Sequence, residues 1–316
     1  MSIELRIVSS IAVLVALIAL IMMLRRIGML HEDHGKLFSS LINNVTLPAL
    51  VFYSLSRTQI LASEAHLAAI MMGAGALCLV AGWGVARALR LEGPQKGPVI
   101  LVCGFGSSSL LGIALVAETF PGNDAAVGEA IILSALGVQP MLFTVGTMIA
   151  QFHGGAAAAP KERLRQAARY FHSPIFIAFA AGIAVSLLAG DTVRAVHLSV
   201  MDGFHMVASA NTFLVAMTVG LFLHLQLERT LIAVAASVAM VKLVLMPALA
   251  WLPTILMDLP LWQVEVLVLE AAMPSATLAV VFSHAYGCDT RFAAKLVLAT
   301  TILSIVTAPV MIALLT

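Results

Sequence analysis

Apolar runs long enough to cross a bilayer recur along this chain from Leu5 to Leu315, separated by short breaks rich in charge, Gly, Pro or Asp. About 18 or more apolar residues in helical form span a hydrocarbon core of roughly 30 Å. In lipid every backbone N–H and C=O must find its partner inside the protein, and a helix does this within one segment. The chain therefore reads as an all-α integral membrane protein with the lipid bilayer as its main solvent. Composition excludes a soluble surface: 10% of the 316 residues are charged, 61% are hydrophobic and the mean hydropathy is +1.04, where soluble domains carry roughly a quarter charged residues. With a net charge of +1, nothing implies a nucleic-acid partner.

The runs divide into ten expected transmembrane helices, near 5–24, 37–56, 66–87, 98–119, 127–150, 174–189, 203–224, 231–252, 261–286 and 292–314. The first ends in Arg25 and Arg26. It is too long for a signal-peptide core and lacks a small-residue cleavage site, so it is expected to remain as a helix. The one long polar interruption, 151–173, contains Pro160 and the cluster Lys161, Arg163, Arg165 and Arg169. It separates a first five-helix half, 1–150, from a second, 174–316.

Loop charge sets the orientation. Loops after odd-numbered helices carry Arg25, Arg26, Lys36, Arg87, Arg90, Lys96, Lys161, Arg163, Arg165, Arg169, Arg229 and Arg291, against Arg6, Arg57 and Arg194 on the other side. The positive-inside rule then puts both termini outside the cytoplasm and the protein in the cell's inner (plasma) membrane. Five helices per half is an odd number, so the second half enters inverted relative to the first, which is the geometry of an inverted repeat. A shift of 165 residues carries Gly122 and Asp124 onto Gly287 and Asp289, and Ser109 onto Pro274.

Two segments are interrupted at their middles. The fourth contains Cys103-Gly104-Phe105-Gly106-Ser107-Ser108-Ser109-Leu110-Leu111-Gly112 and the ninth contains Glu270-Ala271-Ala272-Met273-Pro274-Ser275-Ala276-Thr277. Proline removes an N–H, and Gly and Ser let the backbone unwind, so both helices are expected to break at one depth and cross. The second half-helices would then present N–H groups and positive dipole ends at Ser107 to Ser109 and at Ser275 to Thr277, a site for a carboxylate. Close helix packing and an ordinary proline kink are the alternative reading of the same residues.

Polar side chains at membrane depth need partners, in the protein interior or a wet cavity. Asn43 and Asn44 in the second helix, and Ser209, Asn211 and Thr212 in the seventh, are such residues. Lys242 and Glu270 lie deeper than snorkelling allows; they either pair with each other or serve coupling and anion binding. Glu118, Glu129, Glu265 and Lys295 lie nearer helix ends, where solvation accounts for them. Cys78, Cys103 and Cys288 fall in apolar segments with no CxxC spacing, which reads as small buried hydrophobes, with no metal site and no cofactor implied.

At these residues the sequence resembles the auxin efflux carrier family of membrane transporters, which includes plant PIN carriers and bacterial malonate-type or malate-type carriers. The likeness lies in Leu24-Arg25-Arg26-Ile27-Gly28-Met29-Leu30, in Asn43 through Leu47-Pro48-Ala49-Leu50-Val51-Phe52, in Gly106 through Leu111-Gly112-Ile113, in Leu245-Met246-Pro247 and in Ala271-Ala272-Met273-Pro274. The resemblance implies a homodimer, an elevator-like motion, a scaffold of helices 1, 2, 6 and 7, a transport domain of helices 3–5 and 8–10, and a substrate site where helices 4 and 9 cross. The chain departs from the family pattern at Ser107-Ser108-Ser109 and Gly112-Ile113-Ala114, where family members carry Asn-Thr-Gly and Gly-x-Pro.

The function expected from these readings is secondary transport of a small organic anion, a carboxylate, coupled to a proton or sodium, with no enzymatic activity. A sodium-coupled bile-acid-type symporter is the alternative. An intramembrane serine protease built on Gly106-Ser107-Ser108-Ser109 is a remote one, since nothing in the sequence brings a histidine to those hydroxyls. A reporter fused after Thr316 is expected to signal the non-cytoplasmic side, and one inserted at Ala157 the cytoplasmic side. A cytoplasmic C-terminus would contradict the ten-segment count.

Overall fold

Helix formation in this chain follows its apolar runs and stops at its Gly, Pro and Asx positions. The computed structural model describes residues 16–57, 65–120, 122–154, 172–188, 191–222 and 229–315. The protein is all-helical: 88% is helix, and no strand occurs among the described residues. With each π-turn counted in the helix it interrupts, the helices are α1 (16–26), α2 (32–57), α3 (Ala65–Ala88), α4 (Gly93–Gly104), α5 (108–119), α6 (124–154), α7 (Pro174–Leu188), α8 (Asp191–Phe222), α9 (229–256), α10 (Leu261–Ala271), α11 (Leu278–Ala285) and α12 (Thr290–Leu315). Among the described residues, five stretches are long and apolar enough to cross a membrane: His66–Ala88, Ala125–Gly154, Met201–Phe222, Leu231–Leu256 and Thr290–Leu315. The chain is a multi-pass membrane protein.

Several boundaries differ from those expected. α2 begins at Glu32 rather than 37, with His31 at its N-cap. α8 begins at Asp191 rather than 203, because the polar residues Asp191, Arg194 and His197 are not accompanied by any Gly or Pro before Gly203. Only the end of the expected first helix, and only residues 151–154 and 172–173 of the 151–173 linker, fall within the described residues. The expected fourth helix is two helices, α4 and α5, and the expected ninth is α10 and α11. Gly122 and Gly287, matched by the 165-residue shift, both close their loops at φ +80, a conformation that only glycine adopts without strain.

The helices pack in two groups. α7 and α8 each lie against α2, and α1 joins them through Ile21 on Met217 and Leu221. Arg25 donates to the carbonyl of Leu221, where a cation meets the negative end of α8. The second group gathers α3, α4, α6, α9, α10 and α12. Its outward faces carry large apolar side chains such as Val80 and Val306, 65% and 66% exposed. Such surface has no place in water and is suited to lipid.

Close approach of α3 and α4 rests on missing side chains. A Cβ on Gly82 would stand 2.8 Å from Cys103 Cβ and 3.1 Å from the Ile100 backbone, whereas one on Gly84 meets nothing within 4 Å. Overfilling such a contact costs about 1–3 kcal/mol. Gly82→Ala is therefore expected to lower the thermal unfolding temperature in detergent and Gly84→Ala to leave it unchanged or raise it. Equal behaviour of the two variants would contradict the packing.

Candidate functional site at the two interruptions

α4 ends at Gly104 and passes directly into extended chain at Phe105, while α10 ends at Ala271 and turns through Ala272 and Met273 before meeting it. Gly106 and Ser275 form an isolated antiparallel bridge. The N–H of Ser107 donates to the carbonyl of Pro274 at 2.8 Å, and that of Ala276 to Phe105 at 2.9 Å. Proline cannot donate, but its carbonyl can accept, so the residue that ends α10 also supplies the bond that holds the other interruption. Ser275 is held by two bonds: its hydroxyl donates to Val102 O at 2.7 Å, and its N–H to Thr300 Oγ1 at 3.3 Å. The 165-residue shift puts Ser109 on Pro274, but the paired backbones are Gly106 with Ser275. Sequence matching misses the register because the breaks are joined by backbone groups, which carry no residue identity.

The four half-helix ends sort by sign. Beside the C-terminal ends of α4 and α10 lies Lys242 of α9, fully buried, donating to Ala271 O at 2.8 Å and to Met246 Sδ at 3.0 Å. Its Nζ would be 3.1 Å from a Cβ on Gly106, so only glycine lets the ammonium sit there comfortably. A cation at two helix C-termini is in the favourable part of both dipoles. Glu270 is also fully buried, and neither carboxyl oxygen has a hydrogen-bond partner. The salt bridge to Lys242 is not made; the carboxyl group lies instead on the bare backbone of Gly112, where a Cβ would collide with it.

The opposite ends face a cavity of about 150 Å³ between the two helix groups. Gly106, Ser107, Ser108, Ser109, Ala276, Thr277 and Leu278 line it from the interruptions, Ala135, Gln139 and Phe143 from α6, and Leu50, Asn211 and Val215 from α2 and α8. Ser108 and Ser109 precede the first intrahelical donors of α5, Leu111 and Gly112, which both bond the carbonyl of Ser107. Their N–H groups are thus at the free, positive end of the helix. The Ser108 hydroxyl donates to Ser134 Oγ at 3.2 Å. Asn211 accepts from Thr46 at 2.9 Å, which joins α8 to α2 and leaves its NH₂ group to serve as donor.

Of the residues singled out from sequence, Gly106, Ser107, Ser108, Ser109, Asn211 and Thr277 line the cavity; Pro274 and Ser275 support it from behind. Asn43 and Asn44 do not reach it. Their amides bond back within α2, to Ser39 O at 2.8 Å and Ser40 O at 2.9 Å, and Asn44 faces an apolar groove beside Pro48, Pro174 and Phe204. Thr212 lies on α8, but its side chain is outside the described residues. Glu129, expected at a solvated end, is 3% exposed because α6 packs that turn against α10. Cys78, Cys103 and Cys288 are buried free thiols. His284 packs its ring on Phe222 and His205 on Tyr53. Gln139, Ser134, Thr46 and Thr300 were not anticipated; Ser134, Gln139 and Pro140 together in an apolar run are the signal that could have found the first two.

A multi-pass helical protein with a largely apolar cavity, set with a few polar groups, at two interrupted helices has the architecture of a membrane transporter. The comparisons agree with that class: the family model described as "Membrane transport protein" matches residues 6–312, and the chain belongs to this family, the auxin efflux carriers of the sequence resemblance. It is 26% identical over 289 residues to an uncharacterized transporter of Methanothermobacter thermautotrophicus, covering 90% of this chain and 91% of the relative. It is also similar to an uncharacterized transporter of Methanocaldococcus jannaschii, at 22% over 303 residues, covering 92% and 94%.

The Glu270 seat has a direct test. Gly112→Ala would overfill it, at a cost of about 1–3 kcal/mol, and is expected to lower thermal stability. Adding Glu270→Ala should restore part of that loss, since neighbours sharing one space are not additive. A Gly112→Ala protein as stable as the parent would show that Glu270 sits elsewhere.

Proposed function

We propose that this chain is a secondary transporter that moves a small carboxylate by an elevator-like alternating-access mechanism. The observation that carries the proposal is the cavity: two half-helix N-terminal ends and their hydroxyls face it, no acidic residue lines it among the described residues, and Lys242 stands behind Gly106. A carboxylate leaving water must recover its hydrogen bonds, and charge-assisted ones to N–H and hydroxyl donors are each worth roughly 1.5–3 kcal/mol. A cavity near 150 Å³ admits a solute of about benzene size. That size favours a short-chain acid over the steroid-sized anion of a bile-acid-type symporter.

On this reading the ten segments form a five-plus-five inverted repeat. α1, α2, α7 and α8 are the scaffold, shared by two copies in a homodimer. The other group is the transport domain, with helices 4 and 9 crossing within it. The separate packing of the two groups and the cavity between them support that division. The charge asymmetry of the loops supports non-cytoplasmic termini in the inner membrane. Glu270, without a partner for its carboxyl oxygens, is the group we assign to a coupling proton. Hydrolysis is disfavoured because the Ser108 hydroxyl bonds Ser134 and no histidine lines the cavity among the described residues.

Purified protein should be screened by thermal shift and liposome uptake against mono- and dicarboxylates, with pH and sodium varied. Ser108→Ala and Asn211→Ala are each expected to weaken binding about tenfold, the effect of roughly 1.4 kcal/mol, without unfolding. Glu270→Gln should keep binding but lose the pH dependence of uptake. If Ser108→Ala, Asn211→Ala and Thr277→Ala all fold and bind like the parent, the cavity is not the substrate site. Sodium-dependent uptake would favour the symporter, and fluorophosphonate labelling of Ser108 a hydrolase.

A further inference from the structure

One cavity residue remains outside the carboxylate account. Gln139 is 6% exposed and lines the cavity from α6. Its Nε2 donates to Ser134 Oγ at 3.3 Å, and Ser134 Oγ also receives the hydroxyl of Ser108. Its other end has nothing: Oε1 is buried with no hydrogen-bond partner.

That arrangement is built locally. The π-turn Leu133–Val138 runs directly into Gln139, whose N–H reaches back to Ser134 O, and Pro140 follows. The missing N–H of Pro140 relieves α6 of one regular bond at this turn, and a π-turn rotates the following side chain relative to a regular helix. The result is an amide tied at one end by Ser134 and buried without a partner at the other. A buried amide oxygen left unpaired costs stability that an apolar residue of the same shape would not. A chain that keeps a glutamine here is giving up stability for an acceptor in its cavity, a pattern typical of a binding site.

Anions offer acceptors, so a bare carboxylate cannot satisfy Oε1. Building on the transport reading above, we propose that Gln139 is a substrate-specificity residue, and that the solute is a small carboxylate that also carries a hydrogen-bond donor, a hydroxyl or N–H, within a few atoms of the carboxyl group. The carboxyl takes the N–H groups of Ser108, Ser109 and Thr277 and the hydroxyls of Ser109 and Thr277, and the donor takes Gln139 Oε1. Sites built to hydrogen-bond a solute donor discriminate strongly against analogues that lack it, because the site's own polar group is left unpaired.

The test uses matched pairs: 2-hydroxypropanoate with propanoate, 2-aminopropanoate with propanoate, and 2-hydroxybutanedioate with butanedioate. Binding is measured by thermal shift and by competition in liposomes, for the parent and for Gln139→Met, which keeps length and removes both polar atoms. The parent is expected to bind the donor-bearing member at least tenfold more tightly in at least one pair. Gln139→Met should lose that preference while binding the plain acid as before, and should unfold no earlier than the parent without solute. Equal binding of both members by the parent would overturn the inference and leave the carboxylate reading intact. Equal loss of both members in Gln139→Met would make Gln139 only a support for Ser134 and Ser108. Failure of the parent to bind any of these acids would remove the carboxylate reading and this inference together.

Discussion

Everything at the site depends on how two interrupted helices satisfy their backbone in an apolar interior. Each break exposes polar groups that lipid cannot solvate, and an unpaired one costs several kcal/mol. The chain meets this by joining the breaks to each other: Ser107 to Pro274 and Ala276 to Phe105 through the backbone, with Ser275 pinned to Val102 and Thr300. The residues that cannot continue a helix are thus the residues that hold the two breaks together.

Pairing the breaks fixes the direction of four helix dipoles. Their C-terminal ends share Lys242 and their N-terminal ends share the cavity, so a buried amino group and the cavity lie on opposite sides of the same short stretch of chain. Glycine permits each contact. Gly106 admits the Lys242 ammonium and Gly112 admits the Glu270 carboxyl. The separation of Lys242 and Glu270 gives each a distinct role in the transport account, the one as a fixed amino group and the other as a proton site.

The helical fold, the family and the two interruptions were legible in the sequence, because hydropathy reports the solvent of a helix and Pro, Gly and Ser report where its ladder fails. Facing was less legible. Asn43 and Asn44 look alike in sequence, yet a helix turns about 100° per residue, and neither points into the cavity; Thr46, three residues after Asn43, makes the link to Asn211. The depth of Lys242 and Glu270 fits either a pair or two separate functional groups, and sequence cannot decide between them because the residues belong to different helices. The burial of Glu129, which reads as a solvated helix end, and of Gln139 is not legible, because it is set by which helix packs against them, and that is a property of the assembled bundle.

The central claim is that a carboxylate occupies the cavity at the start of α5. Ser109 lines that cavity and is exposed, while the native cysteines Cys78, Cys103 and Cys288 are buried, so Ser109→Cys offers a thiol-accessible reporter. Its rate of modification by a water-soluble maleimide should fall at saturating concentrations of the acid that gives the largest thermal shift, while Met29→Cys, on the exposed turn after α1, is modified at an unchanged rate. Protection at Ser109→Cys alone is the predicted result. Equal rates at Ser109→Cys with and without the acid would contradict the account.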